Sequence, residues 1–136
     1  MKPSINKMSP ALRQGKSVHY RTKAAFLAEL NKEFSFNFDP CPLRSEIDGL
    51  AVSWEGKRVF CNPPYGPGMH KWLERGTEAD LAVFLIPART DTRWFHEIVL
   101  PKAKQIRFIK GRLKFGDATN PAPFPSMLVI FERGHK

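Results

Sequence analysis

The chain has 136 residues, enough for one hydrophobic core but short for two. Lys and Arg number 22 against 13 Asp and Glu, a formal charge of +9 and a pI near 9.9. That excess favours a polyanionic partner, nucleic acid ahead of a membrane surface. Two cysteines, no signal-peptide pattern and no apolar run of bilayer length make a reducing cytoplasm the expectation and exclude a transmembrane helix.

In chain order, residues 1–17 are polar and basic, with Pro3, Ser9, Pro10 and Gly15, and read as a flexible arm ahead of a single domain over 18–136. Thr22 is placed to cap a helix running to about residue 34, whose Phe26, Leu27, Leu30 and Phe34 recur at helical spacing. A short strand is predicted over 36–38, closed by Asp39-Pro40-Cys41-Pro42. Residues 43–56 read as loop, with Asp48-Gly49 and Glu55-Gly56 as turn signals. A strand over 58–61 then runs into Asn62-Pro63-Pro64-Tyr65-Gly66. A helix after Gly68 carries Met69, Trp72 and Leu73 on one face.

The apolar run 81–86 predicts a strand buried on both faces, ended by Pro87. Asp91 or Thr92 caps the next helix, with Trp94, Phe95, Ile98 and Val99 inward and Pro101 beyond its end. Strands follow over 105–109 and 126–131, separated by the proline-rich segment 116–125. Alternating strands and helices imply an α/β fold with a mostly parallel sheet, the final strand antiparallel. Such a sheet gathers ligands at the carboxyl ends of its strands, where Asp39, Asn62 to Tyr65, and Arg89 all fall.

The Asn-Pro-Pro-Tyr stretch suits one kind of chemistry. An aromatic amino group is a poor nucleophile, because its lone pair is delocalised into the ring. Acceptors on both of its N–H bonds favour a tetrahedral nitrogen and free that pair. The Asn62 side-chain oxygen is one acceptor and the Pro63 carbonyl the other, held in place by the fixed φ of proline. Tyr65 offers a face on which a flat base stacks. Read alone, the same four residues are also a turn after a strand. Cys41 and Cys61, with His19, His70, His96 and His135 scattered, show no metal-ligand spacing, so no metal is expected and the cysteines read as packing residues.

Asn62-Pro63-Pro64-Tyr65 resembles the catalytic signature of S-adenosylmethionine-dependent amino-methyltransferases. Over about residues 18–132 the chain resembles one family, the small phage-type (Dam-type) DNA N-6-adenine methyltransferases. The resemblance rests on Phe38-Asp39-x-Cys41, Trp54-Glu55-Gly56, the segment from Val59 to Gly66, the segment from Leu85 to Phe95, Gly111-Arg112-Leu113-Lys114-Phe115 and the closing apolar strand. It implies a small Rossmann-like methyltransferase sheet, with S-adenosylmethionine as cofactor and adenine N6 in DNA, probed as the duplex, as target. Asn62, Pro63 and Tyr65 hold the flipped adenine in that reading. Asp39, Thr22 and Pro64 belong to the cofactor site. The family's Thr-Pro pair is here Thr22 followed by Lys23, and no Gly-x-Gly loop follows the first strand.

Flipping a base costs a few kcal/mol, which stacking and phosphate contacts offset. Arg89, Lys110, Arg112 and Lys114 are the candidate nucleic-acid contacts, and 111–125 is the candidate reading loop. Two alternatives stand beside this reading. One is a methyltransferase acting on RNA or a protein amide. The other is a non-catalytic nucleic-acid-binding module built on the same fold.

Overall fold

The computed structural model describes residues 20–42, 48–116 and 119–134; the basic arm expected over 1–17 lies outside them. The first element is α1, Ala24–Phe34, which buries Leu30 and Phe34. Thr22 does not cap it: Lys23 holds the N-cap position without a side-chain capping bond, and the Thr22 hydroxyl turns to Asn62 instead. At the other end Ser35 adopts φ 54°, and the Arg58 guanidinium donates to the Phe34 carbonyl at 2.5 and 2.9 Å. A cation on the last carbonyls of a helix complements its negative end.

The strand expected over 36–38 is reduced to a single parallel bridge, Phe38 to Val59. Asp39 and Pro40 stop it. Proline has no N–H for a ladder, and the Asp39 carboxylate accepts the Cys41 N–H at 2.9 Å to form a turn. The first full strand, β1, is Arg58–Cys61. Helix α2, Met69–Gly76, buries Met69, Leu73 and Gly76, with Trp72 half-buried beside them. Strand β2, Leu81–Pro87, is buried along its whole length, as its unbroken apolar run requires.

The next helix, α3, is irregular. The Thr92 hydroxyl accepts the Phe95 N–H at 3.2 Å and so starts it. A π-helical stretch, Phe95–Val99, then leads into an α-turn, Leu100–Lys102. Pro101 therefore lies inside the helix rather than beyond it. Its ring cannot donate and would crowd the carbonyl four residues back; the wider π turn, with Leu100 donating to the Phe95 carbonyl, accommodates it.

Strands β3, Gln105–Phe108, and β4, Ser126–Glu132, complete a four-stranded sheet of order β1-β2-β4-β3. The fold is α/β with a mixed sheet: β1 and β2 pair parallel, while β4 runs antiparallel to both neighbours. The expectation of a mostly parallel sheet is corrected on this point, and that of an antiparallel final strand stands. Strands β1, β2 and β3 share one direction, but β4 inserts between β2 and β3, so only one of the three pairings is parallel. All the segments that leave β1, β2 and β3, and the one that enters β4, consequently meet at a single edge.

Beneath that edge the core is aromatic. Trp54 is fully buried, stacks on Phe84 with ring centroids 5.9 Å apart, and donates its indole N–H to the Gly49 carbonyl at 2.9 Å. Gly76 closes α2 against the same ring: a Cβ there would stand 2.3 Å from a Phe84 ring carbon and 3.1 Å from Phe131. Neither ring has room to move in a packed interior. Gly76→Ala is therefore expected to destabilise the fold by about 1–3 kcal/mol, the usual cost of overpacking. Urea unfolding checks this, and an unchanged midpoint would show that α2 is not seated so tightly.

Candidate active site

Asn62 follows directly on the C-terminal end of β1, and its side chain is buried at 3 % exposure. Its Nδ2 donates to the Tyr20 carbonyl and, at 2.8 Å, to the Thr22 hydroxyl. A backbone carbonyl can only accept, so the amide orientation is fixed with nitrogen on that side. The amide oxygen then faces the other way. Among the described residues, Asn62 Oδ1 and Ser126 Oγ are buried side-chain atoms with no hydrogen-bond partner. An orphaned amide oxygen costs the protein free energy unless something completes it.

Tyr65 stands three residues on, buried, with its hydroxyl donating to the Leu85 carbonyl of β2 at 2.9 Å. Burial pushes its phenol far above the ordinary range, with Cys61 and Tyr20 adding to the rise. The ring sits in a four-membered aromatic cluster. Tyr20 lies on it at 5.2 Å with a 30° tilt, while Phe124 and Phe115 meet it edge-on at 5.5 and 6.4 Å. The segment between β3 and β4 supplies both phenylalanines, and its Leu113 carbonyl accepts the Ala122 N–H at 2.7 Å. The edge that carries Asn62 is thus roofed by the segment expected to read sequence.

A cavity of about 480 Å³ opens beside this cluster. Tyr20, Tyr65, Met69, Arg89, Trp94 and Phe124 are among its lining residues. Burial raises the Tyr20 phenol above its usual value, and the Arg89 guanidinium works against that rise. A second cavity of about 300 Å³ lies under Thr22, with Phe26, Leu113 and Phe115 as apolar lining and Lys23, Arg112 and Lys114 as cations. Pro63 is buried behind Asn62, and Pro64 is half-buried.

A family model described as DNA N-6-adenine-methyltransferase (Dam) matches residues 15–135, nearly the whole chain. The chain belongs to that family. A relative from Haemophilus phage HP1 (strain HP1c1), named DNA N-6-adenine-methyltransferase, is 27% identical over 125 residues, which cover 77% of this chain and 72% of the relative. No solved structure gives a significant match.

In this Dam-family chain the sheet brings several of the expected site residues to one edge. Asn62, Pro63, Pro64 and Tyr65 are contiguous there, and Thr22 reaches them through the Asn62 amide. Asp39 is close as well, since its carboxylate raises the thiols of both Cys41 and Cys61, the residue before Asn62. Arg89 lines the larger cavity, Arg112 and Lys114 the smaller. Lys110 is exposed further along.

Residues 101–114 hold six Lys and Arg and no acid, but these cations are not uniformly available. Lys104 pairs with Glu132 at 2.5 Å, and Arg107 forms a two-pronged bond to Glu33. Lys110, Arg112 and Lys114 have no such acidic partner among the described residues. Trp54 is core, whereas half-buried Trp94 also lines the larger cavity. Sequence reasoning missed Tyr20, Phe115 and Phe124. Phe115 closes one of the quoted motifs, but nothing in periodicity marks any of the three as facing Tyr65.

Two outcomes follow from these environments. Burial, aided by Asp39, pushes the Cys41 thiol up to about 11, and burial pushes Cys61 well above the ordinary range. Because the thiolate is the reactive form, iodoacetamide should label neither cysteine readily at pH 8, and Cys41 labelling should rise only as the pH nears 11. Mass spectrometry of the native protein reads this directly; fast labelling of Cys41 at pH 8 contradicts it. Separately, Tyr65→Phe removes the bond to the Leu85 carbonyl and should cost about 1 kcal/mol of stability in urea unfolding. A stability equal to the parent's would mean that this bond contributes nothing.

Proposed function

We propose that this chain is an S-adenosylmethionine-dependent methyltransferase that modifies N6 of adenine in duplex DNA, with the target base flipped onto Asn62-Pro63-Pro64-Tyr65. Family membership and the name of the phage relative support adenine in DNA as the target. The observation that carries the reading is the Asn62 amide, whose nitrogen is spent on Tyr20 and Thr22 while its buried oxygen waits for a donor. An exocyclic amino group is such a donor, and it arrives attached to a flat ring that Tyr65 is placed to stack.

In this reading Asn62 Oδ1 accepts one amino N–H and the Pro63 carbonyl the other. The nitrogen is drawn toward tetrahedral geometry, and its lone pair leaves the ring. When bound, S-adenosylmethionine would supply the electrophile, a methyl carbon on a sulfonium whose leaving group is a neutral thioether. The nitrogen lone pair would form the new N–C bond as the sulfur–methyl bond breaks, and one amino proton, hydrogen-bonded until then to these acceptors, would pass to solvent. Fixed acceptors lower the barrier because they need no reorganisation as positive charge develops on nitrogen. The surroundings of Asn62 fit the cofactor: the Asp39 carboxylate at the tip beside β1 suits the methionyl ammonium or a ribose hydroxyl, and Thr22 and Pro64 flank the same amide. Three strands of one direction, each ending at this edge, support a Rossmann-like methyltransferase domain over 18–136.

Arg89, Lys110, Arg112 and Lys114 are assigned to the DNA backbone. Arg89, Arg112 and Lys114 line the cavities at this edge, Lys110 is exposed further along, and none of the four has an acidic partner among the described residues. Removing Lys110 and Lys114 together should reduce the slope of log affinity against log salt by about 0.9 per lost phosphate contact on duplex DNA. Equal slopes for mutant and parent would take these side chains out of the interface.

The test of the chemistry is Asn62→Ala. Turnover under single-turnover conditions with saturating DNA should fall about a hundredfold or more, the usual effect of deleting one preorganised polar group. Cofactor affinity measured by calorimetry should fall far less than turnover, since only the Thr22 tether is lost on that side. Methylation at the parental rate would reduce the stretch to a turn.

A further inference from the structure

Tyr20 touches both halves of the proposed base site at once. Its ring lies on Tyr65 with centroids 5.2 Å apart, and its carbonyl receives the Asn62 amide N–H. A base that offers its amino group to Asn62 while stacking on Tyr65 must contact the same two residues. Two rings that sandwich a third stand roughly 7 Å apart, twice a carbon–carbon contact. At 5.2 Å there is no room for a base between Tyr20 and Tyr65.

The two tyrosines are held very differently. Tyr65 is buried, and its hydroxyl is tied to the Leu85 carbonyl. Tyr20 is half-buried, opens on the 480 Å³ cavity, and has no hydrogen bond from its hydroxyl to any described residue. Ring packing alone, on Tyr65, Phe115 and Phe124, keeps its side chain in place. Those three rings are buried, and Tyr20 is the half-exposed member, with the cavity beside it. If it leaves, the Thr22 hydroxyl still receives the Asn62 Nδ2, so the amide keeps its orientation.

We propose that Tyr20 is a gate on the base site: in the free protein its ring lies on Tyr65 as a stand-in for the base, and it withdraws when adenine enters. The proposal deepens the methylation reading and rests on it. A filled slot keeps the Tyr65 ring covered until a base arrives. It also sets a threshold, because a base must displace a stacked phenol ring before it is held. The apparent affinity for the base is then lowered by the fraction of molecules whose slot is closed.

The experiment uses the full chain and adenosine, a riboside that carries the 6-amino group, with S-adenosylhomocysteine present to fill the cofactor site and binding read by calorimetry. Tyr20→Ala empties the slot and should bind the riboside about three- to tenfold more tightly than the parent, as expected when the open form is about a tenth to a third of the population. Tyr20→Phe keeps the stacking ring and should match the parent. Equal or weaker binding by a folded Tyr20→Ala overturns the gate and makes Tyr20 a wall of the site. Should Tyr20→Ala fail to fold, the parent decides the question: the ring-proton Overhauser contact between Tyr20 and Tyr65 should disappear at saturating riboside, and its persistence overturns the gate. Methyl transfer is measured separately. Its absence from the parent overturns the proposed activity, whereas the riboside and ring-contact results bear on the gate alone.

Discussion

Four residue pairs, Arg58 with Leu81 through Cys61 with Phe84, hold β1 parallel to β2. That pairing decides where everything else goes. With the two strands running the same way, Asn62 and Arg89 emerge at the same edge, and the Phe38–Val59 bridge brings Asp39 to it. The ladder of β4 then sets Ser126 opposite Pro87, which delivers Phe124 to the same place from the opposite direction. Had β1 run antiparallel, Asn62 would lie a strand length from Arg89 and from the aromatic cluster.

Within that edge the Asn62 amide divides its two ends between structure and an unmet demand. Burying an amide is costly unless both ends are satisfied. Here the nitrogen end secures the stretch before α1 to the end of β1, and so fixes Thr22 and Tyr20 relative to the sheet. The oxygen end is left without a partner in a low-dielectric setting, where a hydrogen bond to it is stronger than in water. Tyr65 is built on the same logic: its hydroxyl is consumed by the Leu85 carbonyl, which leaves the ring, covered in the free protein by Tyr20, as the face on which a base would stack. Each of the two residues is locked at one end and presented at the other.

Much of this was legible from residue order. The apolar runs gave β2 and β4, and their neighbours placed Asp39, Asn62 and Arg89 at one edge, because strand ends in an α/β sheet converge. The misses have local causes. Thr22 has the right spacing for a cap, but a buried amide competes for its hydroxyl and wins. Pro101 reads as a terminator because the π turn that admits it leaves no periodic trace. Phe36 to Phe38 have strand composition, yet Asp39-Pro40 withdraws the donors that a longer ladder needs. Charge counts along the chain do not show that Lys104 and Arg107 are held by Glu132 and Glu33, which are distant in sequence. Tyr20 was invisible for a related reason: its contacts with Tyr65, Phe115 and Phe124 join three separated segments, and only the folded chain brings them together.

The central claim is that the Asn62 oxygen and the Tyr65 ring present adenine N6 for methylation in DNA. The most direct measurement is transfer of a tritiated methyl group from S-adenosylmethionine to unmethylated duplex genomic DNA, with single-stranded DNA and RNA in parallel, followed by nucleoside analysis. The account predicts label in N6-methyldeoxyadenosine from the duplex. Label recovered only from RNA, only in a methylated cytosine, or not at all from adenine would contradict it.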